Sequence, residues 1–278
     1  MSTTKIQRIL IPTDYSLNAK RATRMGISLA KSIGADVFLF HSYNVAVVGI
    51  AENVGVMDDF RQLEEARMNE ALSEMKTEYG DVNIEGILEY GPAADWISTK
   101  VEAHKIDLIV MGTKGETDAM NTIFGSVASH VVNKVKCPVL IIPKGHRTYN
   151  INEVLFATDF HFTNNVANYL APFLQIADEF DPFIHVVHFK SLIGPGTHVK
   201  NIEELKLTGL LKETKHTYHY VEAENTEQAL FDFAEKSHCD LIVVVTKHYS
   251  LWERIFHRSM TKKIAMHSEI PVLILHES

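Results

Sequence analysis

Cysteine is scarce: Cys137 and Cys239 are the only two in 278 residues, too few for a disulfide framework. Each stands beside a short apolar run, so both are expected as packed thiols of a reducing compartment. Basic residues are also in deficit, with 27 Lys and Arg against 35 Asp and Glu and a formal net charge of −8. Nucleic acid and anionic membrane both demand a basic face, so neither is expected as a partner. No apolar run approaches the length of a membrane span, and the first residues lead into a strand-like run without a signal-like region. The expectation is a cytoplasmic protein. Two phosphate motifs are missing as well. There is no Gly-x4-Gly-Lys-Ser/Thr, and no Gly-x-Gly-x2-Gly after the first strand, which disfavours P-loop hydrolases and ordinary dinucleotide dehydrogenases.

What is present is organised around Asp107-Leu-Ile-Val-Met-Gly-Thr-Lys-Gly. Leu108 to Met111 has the length of a buried strand and ends in Gly112, with Gly115 three residues on. Gly125-Ser126 opens a helix-like segment marked by Val127, Val131 and Val135, and Cys137-Pro138 leads into a second apolar run, Val139 to Ile142. The pattern Gly-x2-Gly-x9-Gly-Ser between two strands reads as an anion cradle. Glycines at 112 and 115 are expected at positive φ, close to a ligand, because no Cβ stands in the way. Gly125 and Ser126 fall where the free N–H groups of a helix start point outward, which suits phosphate.

Along the chain, Ile6 to Pro12 reads as a strand and Thr13-Asp14-Tyr15-Ser16 as the loop into a helix. That helix has Ala19, Ala22, Gly26, Leu29, Ala30 and Ile33 on one face and ends at Gly34. A second strand, Val37 to Ser42, precedes a long loop from Tyr43 to Asp59. Phe60, Leu63, Arg67, Ala71, Met75 and Tyr79 then mark the inner face of a second helix. A weak strand follows at Val82 to Leu88, and Gly91-Pro92 opens a third helix facing inward through Trp96, Ile97 and Val101. Strand and helix alternating in this way imply an α/β fold with a parallel sheet covered on both faces.

The order then begins again. Ile151 to Phe160 matches Ile6 to Tyr15 in character, Asp240-Leu-Ile-Val-Val-Val repeats the Asp107 run, and Ile270-Pro-Val-Leu-Ile-Leu repeats Cys137-Pro-Val-Leu-Ile-Ile. Two domains are expected, residues 1–145 and 151–278, joined by a boundary too short to hold them apart. At the offset of the repeat Gly112, Gly115 and Gly125 become Val245, His248 and Arg258, while Ser126 becomes Ser259. The second copy keeps the fold pattern and loses the cradle.

Gly112-x2-Gly115-x9-Gly125-Ser126, with Ile9-Leu-Ile-Pro-Thr-Asp-Tyr-Ser16 at the start, resembles the ATP-binding signature and adenine loop of the universal stress protein (UspA) family. The resemblance implies two tandem doubly wound, Rossmann-like domains of the adenine nucleotide alpha hydrolase type, with strand order 3-2-1-4-5. It also implies adenine and ribose contacts from Pro12, Thr13, Asp14, Ser42, Met111 and Gly112, and phosphate contacts from Gly115, Gly125, Ser126 and Val127. The expected ligand is ATP with Mg²⁺, since one helix start and Lys114 do not balance a triphosphate. The family further implies that the terminal strands of the two halves pair antiparallel, as an intramolecular pseudo-dimer, with the assembly of whole chains left open.

No general base accompanies the cradle, so binding is expected rather than catalysis, with ATP hydrolysis weak at most. A nucleotide-dependent stress-response or signalling module and a scaffold without nucleotide both stay open. So do two roles for Asp14, as a ribose or metal-water acceptor or as the cap of the first helix. Twelve of the fifteen histidines follow residue 145. His185 and His188, like His216 and His219, are three apart in predicted strands and face opposite sides of the sheet, so no metal site is expected from either pair.

Overall fold

The computed structural model describes residues 5–44, 54–113, 126–144, 146, 150–158, 160, 162, 165–191, 202–246 and 270–277. The first half supplies β1 (Arg8–Pro12), α1 (Leu17–Ile33), β2 (Asp36–Tyr43), α2 (Val54–Glu78), β3 (Ile84–Tyr90), α3 (Ala93–Ala103), β4 (Leu108–Gly112), α4 (Ser126–Lys134) and β5 (Val139–Ile142). The second supplies β6 (Glu153–Ala157), α5 (Val166–Phe180), β7 (Phe183–Ser191), α6 (Ile202–Leu210), β8 (Lys215–Ala223), α7 (Thr226–Lys236), β9 (Leu241–Thr246) and β10 (Val272–His276).

The strands join in one sheet ordered β3-β2-β1-β4-β5-β10-β9-β6-β7-β8. Within each half the neighbours are parallel, in the order 3-2-1-4-5 counted from that half's first strand. The fold is therefore two doubly wound α/β units in tandem. Between them β5 and β10 pair antiparallel, and the register is symmetric about Leu140 and Leu273: Val139 faces Ile274 and Ile141 faces Val272. Gln175 of α5 also reaches across the halves. Its amide accepts from the Ile6 N–H at 2.6 Å and donates to the Ile6 carbonyl at 3.3 Å.

Parallel strands are covered on both faces, so their residues are apolar without alternation; all four residues of β5 are buried. α1, α2, α5 and α6 pack on one face of the sheet, and α3, α4 and α7 on the other. Asp107 and Asp240, the acids that open both copies of the repeat, serve this architecture. Oδ2 of Asp107 accepts from the N–H groups of Gln7 and Arg8, at 2.9 and 3.0 Å, and Oδ2 of Asp240 from those of Asn152 and Glu153, at 2.8 and 3.0 Å. Each thus holds the start of its half's first strand against the strand that follows it in the sheet.

α1 forms as its periodicity predicts. Ser16 Oγ caps it by accepting from the Ala19 N–H at 3.2 Å, and Gly34 ends it at φ 71°. α2 differs from expectation in two ways. It begins at Val54, inside the stretch expected as loop, and its first half is turned by one position. Phe60 and Leu63 are exposed, whereas Glu64 and Met68 are buried. Further along, Ala71, Met75 and Tyr79 do pack against the core. The weak strand runs later than expected, to Tyr90, and Pro92 precedes the first turn of α3 rather than occupying it. Among the described residues, no helix is long and apolar enough to cross a membrane.

Candidate functional site

β1 lies between β2 and β4. The chain leaves β1 toward β2 on one side and later enters β4 on the other, so the crevice beyond the C-terminal ends of β1 and β4 is the switch point where doubly wound folds hold ligands. Pro12 and Gly112 end these two strands, with Thr13 and Asp14 directly after Pro12. Met111 is buried in β4. Ser42 lies near the end of β2, half-buried and paired with Glu89 of β3. α4 begins at Ser126, with Val127 half-buried in its first turn. Because β4 and β5 are parallel, the helix between them runs back against the strands, and its N-terminus lies toward this same edge. Lys114, Gly115 and Gly125 lie outside the described residues, as do His248, Arg258 and Ser259 of the second half.

The loop after β1 is tightly built. The Thr13 N–H donates to the Phe40 carbonyl at 2.8 Å and so extends the β1–β2 pairing by one residue. Thr13 Oγ1 accepts from the Tyr15 N–H at 3.0 Å, and Asp14 Oδ1 from the Ser16 N–H at 3.1 Å. Tyr15 takes φ 61° to make the turn. The cap of α1 is thus Ser16, and Asp14 shapes the loop one step earlier. Gly112 also differs from expectation. It is a strand residue, paired with Ile142 and not at positive φ; a Cβ there would stand 2.6 Å from Nδ2 of buried Asn18 in α1. The packing of α1 on β4 is by itself a reason for glycine at this position.

Beneath the loop lies a polar cluster that the sequence reading missed. His41 Nδ1 is 2.7 Å from the Thr13 carbonyl oxygen, which can only accept, so Nδ1 carries the proton. Its Nε2 lies 3.4 Å from Glu64 Oε2, with the two side chains only 10% and 11% exposed. Arg67 bonds the other Glu64 oxygen at 3.2 Å. The Tyr15 ring sits 4.5 Å from the imidazole, centre to centre, with the Arg67 guanidinium 5.8 Å above it. Burial, and then the Glu64 charge, push the Tyr15 hydroxyl up to about 12, with Arg67 opposing. The visible signal was a histidine near the end of a buried strand. Its partner at position 64 could not be seen without the register of α2 on the sheet.

The second half repeats the turn but not the whole cluster. Thr158 Oγ1 accepts from the Phe160 N–H at 2.9 Å, Phe160 takes φ 57°, and His188 Nδ1 lies 3.0 Å from the Thr158 carbonyl. The tyrosine hydroxyl is absent, and Val245 stands in β9 where β4 has Gly112. Histidines do meet in this half, though not within one strand: His185 of β7 and His219 of β8 approach each other across strands, with Nδ1 and Nε2 at 3.1 Å. Among the described residues, no three His, Cys, Asp or Glu side chains are grouped to hold a metal ion.

Comparison with known proteins agrees with this architecture. The profile described as the universal stress protein family matches residues 5–143 and 186–276. Universal stress protein MJ0531 of Methanocaldococcus jannaschii is 34% identical over 141 residues, 50% of this chain and 82% of the relative. Among solved structures, a universal stress protein from Archaeoglobus fulgidus DSM 4304 superposes with a TM-score of 0.75 at 18% identity, over 99% of this chain and 97% of its own. The functionally unknown protein PA1789 from Pseudomonas aeruginosa PAO1 does so with 0.64 at 13%, over 98% and 93%. At these identities the two structures speak for the fold, and the matched profile, which spans most of the chain in two segments, speaks for descent. The chain belongs to the universal stress protein family.

Proposed function

We propose that the chain is a nucleotide-dependent stress-response or signalling module that binds one ATP, with Mg²⁺, in its first half. The observation that carries this reading is topological: the Thr13–Asp14 loop and the end of β4 at Gly112 follow adjacent parallel strands, and α4 starts at Ser126 on the connection from β4 to β5. Adenosine would lie along Pro12, Thr13, Asp14, Ser42, Met111 and Gly112. Phosphates would lie against Gly115, Gly125, Ser126 and Val127, where helix N–H groups and the helix dipole favour negative charge. Mg²⁺ prefers oxygen ligands and retains water, so phosphate oxygens and water would supply most of its shell. The described edge fits that division: its acid, Asp14, is engaged with the Ser16 N–H in shaping the loop.

In this reading residues 1–145 form the nucleotide domain, and residues 151–278 a domain whose site has decayed. The two act as an intramolecular pseudo-dimer about the β5–β10 junction, in the cytoplasm. The function is binding, with ATP turnover weak at most. A second reading, a scaffold without nucleotide, is favoured by one observation: the contact of Gly112 with Asn18 accounts for that glycine without any ligand. Mass spectrometry of protein purified without added ligand separates the two. Co-purifying adenine nucleotide is the expected result; repeated absence, together with no measurable ATP affinity, supports the scaffold.

A further inference from the structure

Glu153, His185 and His219 occupy three adjacent strands on the sheet face that α7 covers. Glu153 Oε2 lies 2.9 Å from His185 Nε2, and His185 Nδ1 lies 3.1 Å from His219 Nε2. The Phe233 ring of α7 packs on both imidazoles, at 5.7 and 4.9 Å between centroids. The carboxylate fixes the tautomer: Nε2 of His185 carries the proton and donates it to Glu153, which leaves the Nδ1 lone pair directed at His219.

The first half shows what the fold alone requires at these places. Thr13 bonds the Phe40 carbonyl as Thr158 bonds that of Val187, which aligns Phe38 with His185. Phe40 pairs with Ile87 as Val187 pairs with His219, which aligns Ile87 with His219. Phe38 and Ile87 are buried apolar residues. An apolar pair therefore suffices for this packing, and the imidazoles that replace it are polar groups the fold does not require, held by Glu153 and by each other.

We propose that His185 and His219 form a two-histidine site for a borderline divalent cation of the Zn²⁺ or Cu²⁺ kind, with Glu153 as the outer carboxylate that orients His185. Two imidazole nitrogens bound to one tetrahedral ion at about 2.0–2.1 Å stand roughly 3.3 Å apart, close to the separation already present. A carboxylate on the far nitrogen of a ligating histidine is the usual second partner of such a ligand. On binding, the cation takes the Nδ1 lone pair of His185 and the Nε2 lone pair of His219, whose proton moves to its own Nδ1, so the neutral pair releases none. Imidazole selects this class of ion over Mg²⁺. Water completes the shell on the half-buried side of His219.

The full chain, stripped of metal by chelator and free of nucleotide, is titrated calorimetrically with Zn²⁺. One saturable equivalent per chain is expected. His185→Phe and His219→Ile install the first half's residues and should remove it, and Glu153→Gln should weaken it about 10- to 100-fold. Circular dichroism of each variant reports whether it has folded. Electron paramagnetic resonance of the wild-type chain with one equivalent of Cu²⁺ needs no variant and should show coupling to two imidazole nitrogens. Absence of a saturable Zn²⁺ phase, a phase that survives in both folded histidine variants, or a Cu²⁺ signal without two-nitrogen coupling overturns the proposal.

Discussion

Two residues of the first half can be weighed one at a time. At Gly112 the missing Cβ accommodates Asn18, a buried side chain with little room to retreat. Gly112→Ala is predicted to destabilise the chain by about 1–3 kcal/mol, the usual cost of overpacking. If the contact is the cause, Asn18→Ala in the same chain should relieve it, giving a coupling above roughly 0.5 kcal/mol in a double-mutant cycle by urea denaturation. Strict additivity would show that the alanine disturbs something else. His41 is the second case. His41→Phe preserves bulk but leaves the Glu64 carboxylate buried, with the 55%-exposed Arg67 side chain as its remaining ion-pair partner among the described residues. The same substitution removes the Nδ1 donor from the buried Thr13 carbonyl, and a buried acceptor left unpaired costs about 1–3 kcal/mol. A stability loss together with weakened ATP binding is the expected pair of results; unchanged denaturation would mean that the pair is not formed in solution.

At the scale of elements, the junction between halves carries its own titration. His276 of β10 donates from Nε2 to the Val132 carbonyl in α4, at 3.1 Å. Burial holds its pKa below the ordinary imidazole value, against the opposing pull of the Val132 and Cys137 backbone. The folded chain therefore takes up this proton less readily than the unfolded chain, whose histidine titrates at about 6.5. The contribution to stability is complete above that pH and is lost as pH falls from there through the lower folded value. Denaturation midpoints between about pH 7.5 and 5.5 should fall less steeply in His276→Gln, which keeps a donor but cannot charge. An equal slope would place the titration elsewhere.

Elements also mark how far the sequence could be read. The strands and α1 were legible because burial on both sheet faces leaves uninterrupted apolar runs, and because Ser16 and Gly34 bracket the helix. The inner face of α2 was not, since a glutamate faces inward there only where His41 receives it. The meeting of His185 with His219 was hidden for a related reason. Period-two reading assigns a face within one strand, while the partner depends on the register between strands, a tertiary property. Of the candidate site, the Thr13–Asp14 loop and the end of β4 were legible as adjacent, though Gly112 has a packing reason that composition does not reveal.

For the molecule as a whole, the symmetric register of β5 and β10 implies that each strand can accept its own copy. Residues 1–145 expressed alone would leave β5 as an apolar edge, and such edges seek a partner. Sedimentation should find this fragment dimeric, and a stable monomer would show that the junction contributes little to assembly. Under the proposed function this two-fold fold carries a single nucleotide site, in its first half. Calorimetric titration of the full chain with ATP in Mg²⁺ tests it most directly. One nucleotide per chain is expected, with binding abolished in Gly115→Val and Gly125→Arg chains that remain folded. A stoichiometry of two, or no binding at all, would contradict it.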